Sequence, residues 1–289
     1  MTFGISTHLY HGERLQQSHF ETLAANGFTV VELFATRTHL DYHDPRVVKQ
    51  VARWLQDTRI EPRSMHAPIC DGFRDGVWGR PFSNASTHAA HREEAVAETA
   101  AAIQAARDLG CQTLVLHLGL PHGQEIPAGD NDSRAVGKSL EAIGEATTTA
   151  GLRLALEVIP NDLSTPEALT ALFGGDLEMG DVGVCLDFGH AHMLSGAPEA
   201  AEALGGHIIT THVHDNTGKE DAHLVPFAGS IDWTQTLMAM SKVGYAGPYI
   251  FEVADLGDAP DVLRRTVSAR KRLQAILDDL ASWDFEDQV

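Results

Sequence analysis

Glu157 and Glu252 each follow a short apolar run, in LRLALEVIP and PYIFEVAD. A carboxylate that ends a buried strand is costly without a strong partner, and a divalent cation is such a partner. Two carboxylates flanking one bound molecule can also take up and return a proton, the chemistry needed to move hydrogen between adjacent carbons. The competing account of either residue is a structural ion pair with an arginine. In VGVCLDFGHAHM, Asp187 ends a third apolar run and His190 follows three residues later, with Gly189 allowing the tight turn that lets both side chains converge. IITTHVHDN puts His212 and His214 on one face of a strand by the two-residue period. His212 is the favoured ligand, because Asp221 and His223 follow in a loop, and one of the pair is expected to stand behind the ligands. His66 in MHAP and His117 in LVLHLG end two further runs. A lone histidine is usually a hydrogen-bonded core or surface residue, but a succession of them at strand ends argues for metal. His8, His11, His19, His39, His43, His88 and His91 show no such ordering and read as surface or pocket-wall residues. Glu32, in VVELF, is expected as a further polar contact or as a structural ion pair.

Positioning these residues requires parallel strands that all end on one face. Strands are expected over 3–7, 29–34, 60–66, 113–118, 152–158, 182–187, 207–214 and 249–253, several of them apolar on both faces, as parallel strands are. Between them, 44–57, 88–109, 133–150 and 260–280 carry apolar residues at helical spacing, with Gly110 and Gly151 where helix C-caps belong. This alternation specifies an α/β fold, a (β/α)8 TIM barrel in one domain spanning 1–281, followed by an acidic tail at 282–289. Two connections, 70–87 and 215–230, exceed ordinary βα loops, and both follow strands ending in histidine. In the first, Phe73, Trp78 and Phe82 suit either an apolar lid over a bound molecule or simple packing onto the barrel.

Composition narrows the chemistry. The chain has 289 residues, 43% of them hydrophobic, enough for one large core. Its 21 basic against 40 acidic residues give a formal charge of −19, and only five residues are lysine. That balance opposes nucleic acid and favours a small substrate that is neutral or locally held. Three scattered cysteines, Cys70, Cys111 and Cys185, fit neither a disulfide framework nor a paired-cysteine zinc site. No targeting pattern or membrane-length apolar run is present, so the expectation is a cytoplasmic enzyme, free or as a homo-oligomer.

The motifs MHAP, LVLHLG, LALEV, VCLDFGHAH, THVHDNTGKEDAHLVPFAGSIDW and YIFEV together resemble the xylose isomerase-like barrels, a superfamily of sugar-phosphate isomerases and epimerases, ketose 3-epimerases, inosose dehydratases and endonuclease IV. The resemblance covers nearly the whole chain. It implies a metal quartet of Glu157, Asp187, His212 and Glu252, with manganese or zinc foremost and magnesium or cobalt next. It also implies that the two glutamates act as acid and base and that His190 touches substrate. Endonuclease IV builds a three-zinc cluster from nine ligands, and here His66, His117, His190, Asp221 and His223 would complete such a set.

The expected reaction is isomerisation or epimerisation of a sugar or sugar phosphate, by proton abstraction beside a carbonyl through a metal-stabilised enediolate. His190, Lys219, His66 and Trp78 are the expected substrate contacts. One divalent ion among three carboxylates leaves the centre net negative, which suits a neutral polyol. Three ions with four carboxylates leave it net positive, which suits a phosphoryl group. A multinuclear zinc phosphoesterase resembling endonuclease IV, or an inosose-type dehydratase, is therefore the alternative.

Overall fold

A computed structural model describes residues 1–122, 129–174 and 181–286. Eight parallel strands close into a barrel: β1 (Phe3–Ser6), β2 (Val30–Phe34), β3 (Glu61–His66), β6 (Thr113–Leu116), β7 (Arg153–Glu157), β8 (Val182–Asp187), β9 (Ile208–Val213) and β10 (Tyr249–Phe251). Each pairs with its neighbour in chain order, and β1 pairs with both β10 and β2, so no barrel strand is left with a free edge. The two remaining strands, β4 (Phe73–Arg74) and β5 (Val77–Trp78), form an antiparallel hairpin inside the long connection after β3.

The helices are α1 (Gln17–Ala25), α2 (Pro45–Thr58), α3 (Ala89–Leu109), α4 (Ser133–Ala150), α5 (Pro166–Phe173), α6 (Phe188–His192), α7 (Ala197–Leu204), α8 (Trp233–Lys242) and α9 (Ala259–Glu286). Local chemistry fixes their ends. Asp44 caps α2 by accepting from the Arg46 amide, with Pro45 in the first turn, and Asp132 caps α4 through the Arg134 and Ala135 amides. Gly110 and Gly151 take φ of 82° and 72° just past α3 and α4, the left-handed C-cap conformation the sequence predicts. α9 runs through 282–286, the first part of the segment expected as an acidic tail; residues 287–289 lie outside the described residues. No described helix is long and apolar enough to cross a membrane.

The strands' period of two separates two cores. Leu114, Leu154, Leu156 and Leu186 belong to the large cluster that also takes in Phe20, Leu55 and Ile103 from the helices. Val115, Ala155 and Cys185, of the opposite parity, form a small cluster of their own with Ile209 against it. Such a division between a barrel–helix layer and a barrel lumen follows from side chains alternating across each strand. Glu157 and Asp187 share the parity of Ala155 and Cys185, which places them one layer above that small cluster.

Candidate metal centre

Nearly every ligand-type residue named from the sequence arrives at one end of the barrel. Glu157 and Asp187 close β7 and β8, His66 closes β3, His212 lies in β9, and Glu252 follows β10 directly. The register sets Asp187 beside His212 and His212 beside Ile250, so neighbouring strands deliver their side chains at one height. His117 follows β6, and Asn84 holds the backbone there: its amide donates to the His117 carbonyl at 2.7 Å and its carbonyl accepts from the Gly119 amide at 3.1 Å.

Glu157, Asp187, His212 and Glu252 form the central group, their ligand atoms all within 4.8 Å of one another. His212 Nδ1 lies 3.2 Å from Glu157 Oε1, 3.2 Å from Glu252 Oε2 and 3.7 Å from Asp187 Oδ2. Its other nitrogen, Nε2, donates to Glu32, whose oxygens lie at 3.0 and 3.2 Å. Ser64 Oγ donates to the same carboxylate at 2.8 Å. Glu32, wholly buried, is therefore the residue that turns the His212 ring so that Nδ1 faces the three carboxylates. Its position inside an apolar run was the available signal, because a buried carboxylate needs a specific partner.

Two further groups flank the quartet. His66 Nε2 and His117 Nε2 lie 3.1 and 3.2 Å from Glu157 Oε2, so Glu157 belongs to both the centre and this first flank. On the other side, Asp221 Oδ2 lies 3.1 Å from His190 Nε2 and 3.1 Å from His223 Nε2, with His214 also within reach of this group. His214 Nε2 meets Asp187 at 3.0 Å while its ring stacks on His223 with centroids 4.0 Å apart. Gly189 makes room for that ring, since a Cβ there would lie 2.0 Å from His214 Cε1. The two-residue period thus places both His212 and His214 at the centre, His212 among the quartet and His214 behind Asp187.

The donor set fits divalent metal on three grounds. First, no lysine or arginine among the described residues pairs with Glu32, Glu157, Asp187 or Glu252; their ionic partners are all histidines. The structural Arg pair is not what holds the glutamates. Second, His66, His190 and His223 each place Nδ1 on a backbone carbonyl, of Ala67, Val158 and Glu252, at 2.7, 3.1 and 2.7 Å. With Nδ1–H donating there, Nε2 faces a carboxylate, a contact that is favourable when either a proton or a metal ion lies between them. Third, the charges are held unusually tightly. Burial would raise the Glu157 and Glu252 carboxyls, but the His212 charge, with His117 at Glu157 and His223 at Glu252, holds both well below the ordinary range. Burial would likewise lower His212 and His190, yet the Glu252, Glu32 and Glu157 carboxylates around His212, and Asp187 and Asp221 around His190, lift both well above the usual imidazole range. A divalent ion can supply the same compensation in place of those protons.

Above this floor opens a cavity of about 730 Å³. Glu252, His66, His117, His190, Asp221 and His223 line it, whereas Glu157, Asp187 and His212 lie beneath. Trp78, Phe73 and Phe82 line it too, which puts the hairpin connection over the mouth. Lys219 does not: it is exposed on the 215–230 loop, within a run of five exposed residues at 217–221, and is absent from the lining that Glu220 and Asp221 join. His8 and His11, unordered in sequence, are pocket-wall residues that the 3₁₀ turn after β1 brings inward.

Comparisons with known proteins agree with this architecture. Residues 20–273 match the family model described as xylose isomerase-like TIM barrel. The uncharacterized protein MJ1311 of Methanocaldococcus jannaschii is 29% identical over 272 residues, covering 90% of this chain and 86% of that protein. A crystal structure described as a D-tagatose 3-epimerase-like protein superposes with a TM-score of 0.79 at 25% identity, covering 98% of this chain and 99% of the other. The IOLI protein with a bound zinc atom superposes with a TM-score of 0.71 at 16% identity, over 97% of this chain and 99% of the other, which speaks to the fold alone.

Proposed function

Because the chain belongs to the xylose isomerase-like TIM barrel family, we propose that it is a divalent-metal-dependent isomerase or epimerase of a sugar or sugar phosphate. The observation that carries this reading is the convergence of Glu157, Asp187, His212 and Glu252 within 4.8 Å, beneath a cavity that Glu252 lines. The D-tagatose 3-epimerase-like neighbour supports the same class of substrate. Manganese or zinc, with magnesium or cobalt as substitutes, would be held by this quartet. When bound, the ion would polarise a substrate carbonyl and stabilise charge developing on its oxygen.

The chain's own groups handle the proton. Glu252 reaches the cavity, so it takes the proton from the substrate carbon or returns it. Glu157, three strands away around the barrel, serves the other step from beneath the cavity floor. His190 and His66 line the cavity, each with Nδ1 fixed on a backbone carbonyl, so Nε2, which meets Asp221 in one and Glu157 in the other, is the nitrogen a substrate hydroxyl would share. Their carboxylate and carbonyl partners hold the rings in place, and that orientation keeps exchange stereospecific.

The test is solvent-deuterium exchange into a panel of ketoses and inososes, with metal content per chain measured by elemental mass spectrometry. We expect about one ion per chain and loss of exchange by at least roughly 100-fold in Glu252→Gln and Glu157→Gln. Wild-type exchange rates in Glu252→Gln would remove that residue from the mechanism.

A specific observation favours a second reading, a multinuclear zinc phosphoesterase of the endonuclease IV type. The nine ligand-type residues divide into the central quartet and two flanks, His66–His117–Glu157 and His190–Asp221–His223. About two to three zinc ions per chain, with activity on phosphate esters lost in Asp221→Ala and His223→Ala, would put this reading first. An isomerase with one essential ion should keep that ion in both variants. An inosose-type dehydratase would use the same proton abstraction and is separated by product analysis from the same panel.

A further inference from the structure

The cavity is larger and less polar than a bare sugar requires. Allowing each heavy atom even the ~30 Å³ that a water molecule occupies in the liquid, a hexose fills only about half of it. The unfilled part has its own chemistry. Trp78 stacks on His11 with centroids 4.8 Å apart, meets Phe73 at 4.7 Å and Phe34 at 6.1 Å, and Phe34 in turn lies 5.2 Å from the His66 ring. An aromatic wall therefore runs without a break from the hairpin to the metal-ligand floor.

Two more observations bear on what this wall meets. Five large hydrophobic residues are exposed among those described, and Val77, Trp78 and Leu256, at 66, 37 and 60%, belong to this one mouth: Trp78 and Leu256 line the cavity and Val77 precedes Trp78 in the hairpin. No lysine or arginine lines the cavity among the described residues, while Glu220, Asp221 and Glu252 do. An anionic group on the outer part of a ligand would find no lysine or arginine in the lining and would face the Glu220 and Asp221 carboxylates. A planar apolar group would find stacking partners and would bury hydrophobic surface that otherwise faces water.

We infer that the substrate is an uncharged sugar or polyol carrying a planar apolar substituent, with the substituent stacked against Trp78 and Phe73 and the polar part on the floor beside Glu252. This rests on the sugar-directed reading above and narrows it to unphosphorylated, substituted substrates.

The wall is tested apart from turnover, by fluorine-19 NMR of 4-fluorobenzyl alcohol and 4-fluorobenzoate with the metal-loaded full chain. We expect the neutral alcohol to bind wild type and Trp78→Phe alike and to bind Trp78→Ala about tenfold more weakly. Benzoate should gain nothing from Trp78. No binding of the alcohol, or equal binding by wild type and Trp78→Ala, would overturn the inference. So would benzoate binding at the wall more tightly than the alcohol, shown by loss of that binding in Trp78→Ala. If the alcohol binds as expected but neither the ketose and inosose panel nor the same sugars carrying an aryl substituent undergo exchange, the proposed reaction fails and the wall stands. Exchange without alcohol binding removes the wall and leaves the reaction.

Discussion

His212 is the residue on which the centre turns. One imidazole cannot serve three carboxylates unless its second nitrogen is fixed, and Glu32 fixes it at 3.0 Å. Replacing that carboxylate by an amide keeps the shape but removes the charge that raises the basicity of the ring. Glu32→Gln should therefore weaken metal affinity about 10–100-fold, measured by competition with a calibrated chelator, while the fold persists. Unchanged affinity would mean that Glu32 only fills the layer beside Ser64. Neither Glu32 nor Asn84 stands at a strand end in the sequence, so each becomes visible as a supporting residue only once its partner is in place.

Among the elements, the 215–230 connection contributes most and is least regular. It carries Asp221 and His223, and Asp215 organises it from below. The Asp215 carboxylate is wholly buried and accepts from the amides of Asn216, Phe227 and Ile231 at 2.9, 2.8 and 3.2 Å and from Trp233 Nε1 at 3.0 Å. Its backbone pairs both ways with Leu224, at 2.8 and 2.9 Å, which closes the loop on itself. Asp215→Asn would turn an NH2 group toward donors. The expected cost is about 2–3 kcal/mol in denaturant unfolding, with loss of whatever ion the Asp221 flank holds before loss of the central one. Full retention of both would show that the loop is held by its apolar contacts instead. The length of this loop signalled function in the sequence, but its internal anchor did not, because an aspartate after a histidine could equally have been a ligand.

At the scale of the whole molecule, stability should depend on pH through groups far from the centre. His39 is fully buried on the connection after β2, where its Nδ1 donates to the Glu13 carbonyl at 2.7 Å. Burial lowers its pKa to about 4 against that hydrogen bond. The unfolded chain binds the proton first, so this residue's contribution is complete above about pH 6.5 and is lost as pH falls toward 4, by at most about 3 kcal/mol. Denaturation midpoints between pH 7 and 4 should fall less steeply in His39→Asn than in the natural chain; parallel slopes would refute this assignment. The −19 net charge acts at the same scale and opposes a duplex-gripping surface, which weighs against the nuclease branch of the hydrolase reading without touching its metal geometry.

The barrel, its eight strands and the ligand-type residues at their ends were determined by the sequence alone, because a strand's two-residue period and the residue at its end are local properties. The C-cap glycines and helix-capping aspartates were equally local. Five helices, α1 and α5 to α8, carry at most ten residues each, and such short segments owe their helicity to packing against the barrel more than to intrinsic propensity. Tertiary structure alone decided that Glu32 orients His212, that Lys219 faces solvent, and that Glu252 but not Glu157 meets the cavity. It alone divided the ligands into a centre and two flanks and set the aromatic hairpin over them. Those are matters of distance and direction between segments far apart in the chain, and only closure of the barrel fixes them.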